Sequence, residues 1–320
     1  MSLRIGIDLG GSKIEIIVLD QRGEVCLRER VPTPQGDYAA TLRTMVDLVR
    51  DAEAKVGADE PTKQQGGRAK DARIKVANGS TAMPVGVGIP GAESLTTGLI
   101  KNANSTCLIG QPLRADLSAA LGRTVHLAND ANCFALSEAT DGAAAGASTV
   151  FGVILGTGVG GGIVIEGKLL AGANAIAGEW GHNPMPGANE GRTCYCGRHD
   201  CIETYLCGPA LANEVCRAAS ADYSVPAIIA AAQAGDALCE AALHRYEQRL
   251  ARALAGVINL LDPEMIVLGG GLSNLQRLYA NVPRLWGEWV FSDHVTTRLV
   301  PPKFGDSSGV RGAAWLGANA

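Results

Sequence analysis

Two stretches decide the fold: RIGIDLGGSKIEIIVL at residues 4–19 and VFGVILGTGVGGGIVI at 150–165. In the first, Arg4 to Ile7 reads as a short strand, Asp8-Leu9-Gly10-Gly11-Ser12-Lys13 as a glycine turn, and Ile14 to Leu19 as a second strand. Gln21-Arg22-Gly23 then turns into a third strand over Glu24 to Arg30. In the second stretch, Val150 to Leu155 is an apolar strand, Gly156-Thr157-Gly158-Val159-Gly160-Gly161-Gly162 a glycine turn, and Ile163-Val164-Ile165 another strand. The opening pattern thus returns about 150 residues later, which predicts a duplicated architecture. Backbone N–H groups exposed at such turns can approach phosphate oxygens closely because no side chain intervenes. Each half then carries one phosphate-gripping hairpin, and the expected site is the cleft between the halves.

Between and beyond these hairpins, Leu42, Met45, Val46 and Val49 repeat with helical spacing and predict a helix over Tyr38 to Val56. Residues 57–82 are polar and without sustained period, the pattern of an exposed insertion loop. Val125-His126-Leu127 is a short strand leading through Ala128-Asn129-Asp130 into an alanine-rich helix to Ala139. Leu243, Tyr246, Leu250, Leu254, Val257 and Leu261 mark one face of a long helix that stops at Asp262-Pro263. Met265 to Leu268 is the next strand, running into a third glycine turn at Gly269-Gly270-Gly271.

Composition narrows the function. The chain has 320 residues, long enough for two domains, and its 41 glycines are roughly twice the usual share of about 7%. A net charge of −4 offers no basic surface for a nucleic-acid backbone. There is no leader-like segment and no run of about 18 apolar residues, so the expectation is a cytoplasmic protein without membrane contact. Nine cysteines in such a chain favour the reduced state, with clustered ones available to a metal.

None of the glycine turns has P-loop spacing. GTGVGG has the G-x-G-x-x-G spacing, but a strand follows where a dinucleotide fold needs a helix. Asn129 and Asp130 suit a helix cap, or alternatively a carboxylate that takes the proton of an attacking hydroxyl. Cys194, Cys196 and Cys201 form C-x-C-x4-C, with Gly197 letting the backbone fold round a centre. Zinc wants a fourth ligand; His182 is the choice, with His199 and Cys207 as rivals.

Taken together, GIDLGGSK at 6–13, GIPG at 88–91, NDAN at 129–132, GTGVGGG at 156–162, EWGH at 179–182, CYCGRHDCIE at 194–203 and LGGG at 268–271 resemble the ROK family of sugar kinases and sugar-responsive repressors. Three segments bring the resemblance nearest to the bacterial fructokinases of that family: 101–113, 127–147 and 305–316. The resemblance implies an α/β, two-lobed actin-like ATPase fold (ribonuclease H-like, duplicated) with a zinc-binding loop. It divides the chain into an N-terminal lobe over 1–128, to which a C-terminal helix over 306–320 packs back, and a C-terminal lobe over 129–305. It implies ATP and Mg²⁺ as cofactors and a structural Zn²⁺ on His182, Cys194, Cys196 and Cys201. Asp130 becomes the general base, and Asn104, Asn129, Glu179, His182 and Glu203 bind the sugar hydroxyls, His182 serving metal and sugar through its two ring nitrogens. Gly6, Asp8, Gly10, Gly11, Ser12, Lys13, Gly156, Thr157, Gly158, Gly160, Gly161, Gly162, Gly269, Gly270 and Gly271 take the nucleotide, with Asp8 the candidate for Mg²⁺. The expected partners are a small-molecule sugar and ATP, with a homodimer compatible. Fructose is the expected substrate, then mannose and glucose, with N-acetylglucosamine poor. With only seven residues before Asp8, no DNA-binding unit is expected, and Asp130 with three glycine turns argues against a non-catalytic sensor. Two departures stand out: Ser12 where the family usually has Thr, and Asp200 where it commonly has Gly.

Overall fold

The structure is a computed structural model and describes residues 3–58, 82–103 and 105–317. The 57–82 insertion therefore lies outside the described residues except at its two ends, and so does Asn104. The chain forms two compact units, Met1–Asn129 with Ala313–Ala320, and Asp130–Gly312.

The first unit contains β1 (Arg4–Leu9), β2 (Lys13–Leu19), β3 (Val25–Pro32), α1 (Tyr38–Ala58), β4 (Val85–Ile89), the short pair β5 (Ala92–Glu93) and β6 (Ile100–Lys101), α2 (Leu113–Leu121) and β7 (Val125–Asn129). Its five-stranded sheet has the order β3-β2-β1-β4-β7. The first three strands are antiparallel, whereas β1, β4 and β7 run parallel. Ile5, Ile7, Leu9, Ile14, Ile16 and Val18 alternate along β1 and β2 and are all at most 1% exposed. Full burial of each such side chain is worth about 1.5–3 kcal/mol, and Ile17 and Leu19 on the opposite face of β2 are buried as well, so this strand is covered on both sides.

The second unit contains α3 (Asp130–Thr140), β8 (Thr149–Leu155), β9 (Val159–Ile165), β10 (Lys168–Leu169), α4 (Glu203–Leu206), α5 (Gly208–Ala219), α6 (Val225–Gln233), α7 (Ala237–Leu261), β11 (Met265–Gly269), α8 (Gln276–Leu285), β12 (Arg298–Val300) and the first part of α9 (Ser308–Leu316). Its sheet has the order β10-β9-β8-β11-β12, the same plan of an antiparallel meander followed by parallel strands. In α7, the Asp236 carboxylate accepts the Cys239 N–H at 2.8 Å at the start, and Asp262 adopts left-handed φ 46° at the end. One α7 face, including Tyr246, Leu250 and Leu254, is buried with Leu155, Ile266 and Leu268 of the sheet. This repeated α/β plan is the two-lobed fold of the actin-like ATPases.

The division into units differs in detail from the expected 1–128 and 129–305. Asn129 completes β7, and residues 306–312 group with the second unit. There Arg311 pairs with Asp141, Ser308 Oγ donates to Glu138 at 2.6 Å, and Gly312 lies so close to Cys133 that a Cβ would fall 1.7 Å from its carbonyl oxygen. Among the described residues, no helix is long and apolar enough to cross a membrane.

Candidate functional site

The first glycine turn is held from its carbonyl side. The Gly10 N–H donates to the Lys13 carbonyl at 3.0 Å, closing the hairpin between β1 and β2. Thr33, just after β3, donates its hydroxyl to the Gly10 carbonyl at 2.8 Å and its N–H to the Ser12 carbonyl at 3.0 Å. The clamp occupies carbonyls and leaves Gly11, Ser12 and Lys13 exposed. Asp8 sits near the end of β1, paired with Glu15 on β2 and Gly88 on β4. The neighbouring carboxylate, Glu15, is buried and committed to Arg28 and Arg30 at 2.5 and 2.6 Å. Gly6 was expected at the nucleotide. It is instead interior to β1, buried and paired with Ile17 and Gly86, so it serves the sheet.

The second turn is shorter than its sequence suggests. Gly156, Thr157 and Gly158 make the turn, closed by Gly156 N–H to Gly158 carbonyl at 3.0 Å, while Gly160, Gly161 and Gly162 belong to β9. Those three allow close packing: a Cβ on Gly160 would lie 3.0 Å from Ala131 Cβ, one on Gly161 2.7 Å from the Gly178 carbonyl, and one on Gly162 2.8 Å from the Ala131 carbonyl. Their work is to let α3 and the Gly178 segment approach the sheet. At the third turn, Gly269 ends β11, exposed Gly270 has φ 78° with Leu155 beneath it, and Gly271 opens a short 3-10 turn.

Asp130 begins α3 directly after β7, exposed, with its Oδ1 accepting the N–H of Ala131 at 2.8 Å. Asn129, half-buried at the end of β7, donates Nδ2 to the Gly91 carbonyl of the GIPG turn at 3.3 Å. Gly91 in turn meets the end of β6 and the residues after it, since a Cβ there would lie 2.8 Å from the Lys101 carbonyl oxygen and 3.0 Å from Ala103.

The cysteine loop closes round a point. Donor atoms of His182, Cys194, Cys196 and Cys201 all lie within 4.8 Å of one another, with Cys194 Sγ to His182 Nδ1 and Cys196 Sγ to Cys201 Sγ both 3.6 Å. A tetrahedral zinc with ordinary Zn–S and Zn–N bonds separates its ligands by about 3.6–3.8 Å, so the three thiols and one imidazole fit the ion. His199 is exposed and Cys207 buried; neither joins this group. Burial pushes the thiols of Cys194 and Cys201 up, the latter to about 12, while the N–H of Arg198 draws Cys196 down. A bound cation would lower all three by taking the thiolates as ligands.

Around the cluster the structure uses residues differently from expectation. His182 Nε2 lies 3.0 Å from the hydroxyl of Tyr195, whose ring meets the imidazole edge-on at 5.2 Å, so the nitrogen assigned to sugar already has a protein partner. Glu203 opens α4 and accepts the N–H of Val159 at 2.9 Å, with its other oxygen 4.0 Å from Cys194 Sγ. Glu179 is exposed, one residue before the turn Trp180–His182. Asp200 keeps the left-handed backbone expected of a glycine, φ 53°, and adds a staple: its carboxylate accepts from the N–H groups of Gly191 and Arg192 and from the Tyr205 hydroxyl at 2.5 Å. The Tyr205 bond holds the Asp200 carboxyl below its ordinary range. Sequence reading missed Tyr195, Thr33 and Gly181. Tyr195 and Gly181 at least stood inside recognised motifs, whereas Thr33 gave no signal.

An N-acetyl-D-glucosamine kinase from Yersinia enterocolitica serotype O:8 / biotype 1B is 38% identical over 321 residues, covering 97% of this chain and 98% of its own. The ROK hexokinase from Thermus thermophilus superposes with a TM-score of 0.82 at 27% identity, over 99% of this chain and 98% of that one. A ROK family glucokinase from Streptomyces griseus, solved in complex with glucose and AMPPNP, gives 0.73 at 26% identity over the whole of both chains. The model of the ROK family matches residues 4–59 and 72–320, and the chain belongs to that family.

Proposed function

We propose that this chain is an ATP-dependent sugar kinase whose substrate is N-acetyl-D-glucosamine. The observation that supports the substrate is full-length identity of 38% to N-acetyl-D-glucosamine kinases, which replaces the expectation of fructose. That expectation leaned on segments 101–113, 127–147 and 305–316, of which the last two also make scaffolding contacts. Within 127–147 and 305–316, buried Glu138 accepts from Ser308 and from the Lys303 N–H, and Asp141 pairs with Arg311. Such contacts record shared architecture and do not read a sugar.

In this reading Asp130 accepts the proton of the sugar's primary hydroxyl as that oxygen attacks the γ-phosphorus in line. The turns at 10–13, 156–158 and 269–271 hold the nucleotide through backbone N–H groups other than those of Gly10 and Gly156, which close the first two turns. Mg²⁺, when bound, would neutralise phosphate charge, with Asp8 as its candidate carboxylate, in keeping with an ion that takes one or two carboxylates and keeps several waters. Asn129, Glu179 and Glu203, with Asn104, supply directed hydrogen bonds to the hydroxyls and the 2-acetamido group, and His182 joins them only where its Nε2 exchanges the Tyr195 hydroxyl for one of the sugar. A site built around an amide partner discriminates against sugars that lack it by leaving its own polar groups unpaired. ATP consumption with N-acetyl-D-glucosamine, glucose, mannose and fructose in parallel tests the reading; it fails if no sugar stimulates turnover.

Zinc is the second component. We expect about one equivalent per chain in protein purified without added metal, as a closed structural site retains its ion. His182→Ala empties the site and His199→Ala leaves it filled, both read by elemental analysis. Less than about a tenth of an equivalent in the unaltered protein contradicts the assignment.

A further inference from the structure

Both ends of the metal-binding loop close on one residue, Val159, where the second phosphate turn enters β9. Gly181, the residue before His182, packs so tightly that a Cβ there would lie 2.1 Å from the Val159 carbonyl oxygen. Glu203, two residues after Cys201, accepts the Val159 N–H at 2.9 Å. The same carboxylate lies over the turn itself, 2.6 Å from where a Gly158 Cβ would stand, and the N–H of Gly208 donates to the Gly156 carbonyl at 2.8 Å. The two flanks are also tied to each other, by Ile202 N–H to the Asn183 carbonyl at 2.9 Å and by the Pro184–Cys201 bridge. Val159 is 6% exposed, so its backbone has little freedom to escape this grip.

We propose that the metal-binding loop is a clamp on the second phosphate turn: an ion held by His182, Cys194, Cys196 and Cys201 fixes Gly181 and Glu203 against Val159 and thereby sets nucleotide affinity. The inference rests on the kinase reading and adds a role for the metal on the phosphate side, distinct from ordering the sugar site. The physical reason is local. The turn of Gly156, Thr157 and Gly158 has little side chain of its own to hold its shape, and glycine loses more conformational freedom on ordering than any other residue. External contacts must therefore fix the N–H directions that meet phosphate, and here those contacts come from the flanks of the metal ligands. Glu203 and Gly181 are positioning residues in this account. Because the effect is a coupling between two binding events, it is reciprocal: nucleotide tightens zinc binding by the same factor by which zinc tightens nucleotide binding.

The test measures Mg²⁺–AMPPNP affinity by calorimetry, without sugar and without turnover, in zinc-filled and chelator-stripped protein. We expect stripping to weaken the nucleotide on the order of tenfold, the scale seen when support around a metal site is lost, and added zinc to restore it. In zinc-filled protein, Glu203→Ala weakens AMPPNP by a similar factor, while Glu203→Gln, whose amide oxygen still accepts from Val159, stays within about twofold. A chelator competition run with and without AMPPNP reads the reciprocal shift in zinc affinity, which a merely structural ion would not show. If stripping unfolds the chain, the Glu203 pair and the reciprocal shift decide. Nucleotide affinity unchanged by stripping and by Glu203→Ala overturns the clamp alone. Zinc-filled protein that binds no nucleotide overturns the kinase reading together with it.

Discussion

Asp130→Asn is expected to lower kcat by about 10²- to 10⁴-fold, the usual cost of removing a general base, while leaving AMPPNP affinity within about twofold. The substitution is close to isosteric. An asparagine at the start of α3 can still accept the Ala131 N–H that Asp130 accepts at 2.8 Å, so the helix begins as before. What it cannot do is take a proton from an attacking hydroxyl at neutral pH. The nucleotide readout separates the two roles of this position: a base acts on the hydroxyl and does not touch the phosphates, whereas damage to the helix start would spread further. Steady-state kinetics with saturating ATP, paired with calorimetry, make the check. Retention of more than about half of the unaltered kcat would reduce Asp130 to the opening residue of a helix.

The second large effect concerns stability, and it is opposite in sign at two glycines. Gly86 is buried in β4, a strand hydrogen-bonded on both sides, and a Cβ there would lie 2.0 Å from the Ala313 carbonyl oxygen and 3.0 Å from Leu316 Cβ of α9. Neither the strand nor the helix backbone can yield cheaply. Gly86→Ala should destabilise by about 3 kcal/mol, the upper part of the overpacking range, and lower the melting temperature on the order of 10 °C. Gly256 lies in α7, exposed, with open space where a Cβ would go. Gly256→Ala should stabilise by about 1 kcal/mol, because alanine removes the entropic penalty of glycine in a helix interior. Thermal melts of the two variants beside the parent chain check both signs.

Glycine also marks how far the sequence could be read. The hairpin of β1 and β2 was legible because its period-2 apolar residues stop at a turn motif, both local signals. The long helix was legible from one apolar face and the Asp262-Pro263 stop. Gly160, Gly161 and Gly162 were not, since a run of glycines looks alike in a turn and in a strand. What places them in β9 is the approach of Ala131, Ala135 and Gly178, residues remote in sequence. The metal ligands were readable from C-x-C-x4-C, and His182 was singled out ahead of its rivals by its motif. The second nitrogen of His182 was not readable, because its meeting with Tyr195 depends on how the loop between them folds back. Glu203 shows the same limit: a carboxylate next to a cysteine motif can serve sugar, metal or backbone, and only the Val159 contact brings the backbone role into view. The sugar itself was least legible, since short shared segments reflect common architecture as readily as a common substrate, and two of the three used, 127–147 and 305–316, make contacts that hold α3 to α9.

The most direct test of the central claim is a competition. Equimolar N-acetyl-D-glucosamine and fructose, incubated with the zinc-filled protein, Mg²⁺ and limiting ATP, yield two phosphorylated products that differ in mass, and their initial ratio is the ratio of the two kcat/KM values. We predict at least about tenfold more N-acetylglucosamine phosphate than fructose phosphate, a difference of about 1.4 kcal/mol in transition-state stabilisation. An equal yield, or an excess of fructose phosphate, would contradict the substrate assignment, and the absence of both products would contradict the kinase reading itself.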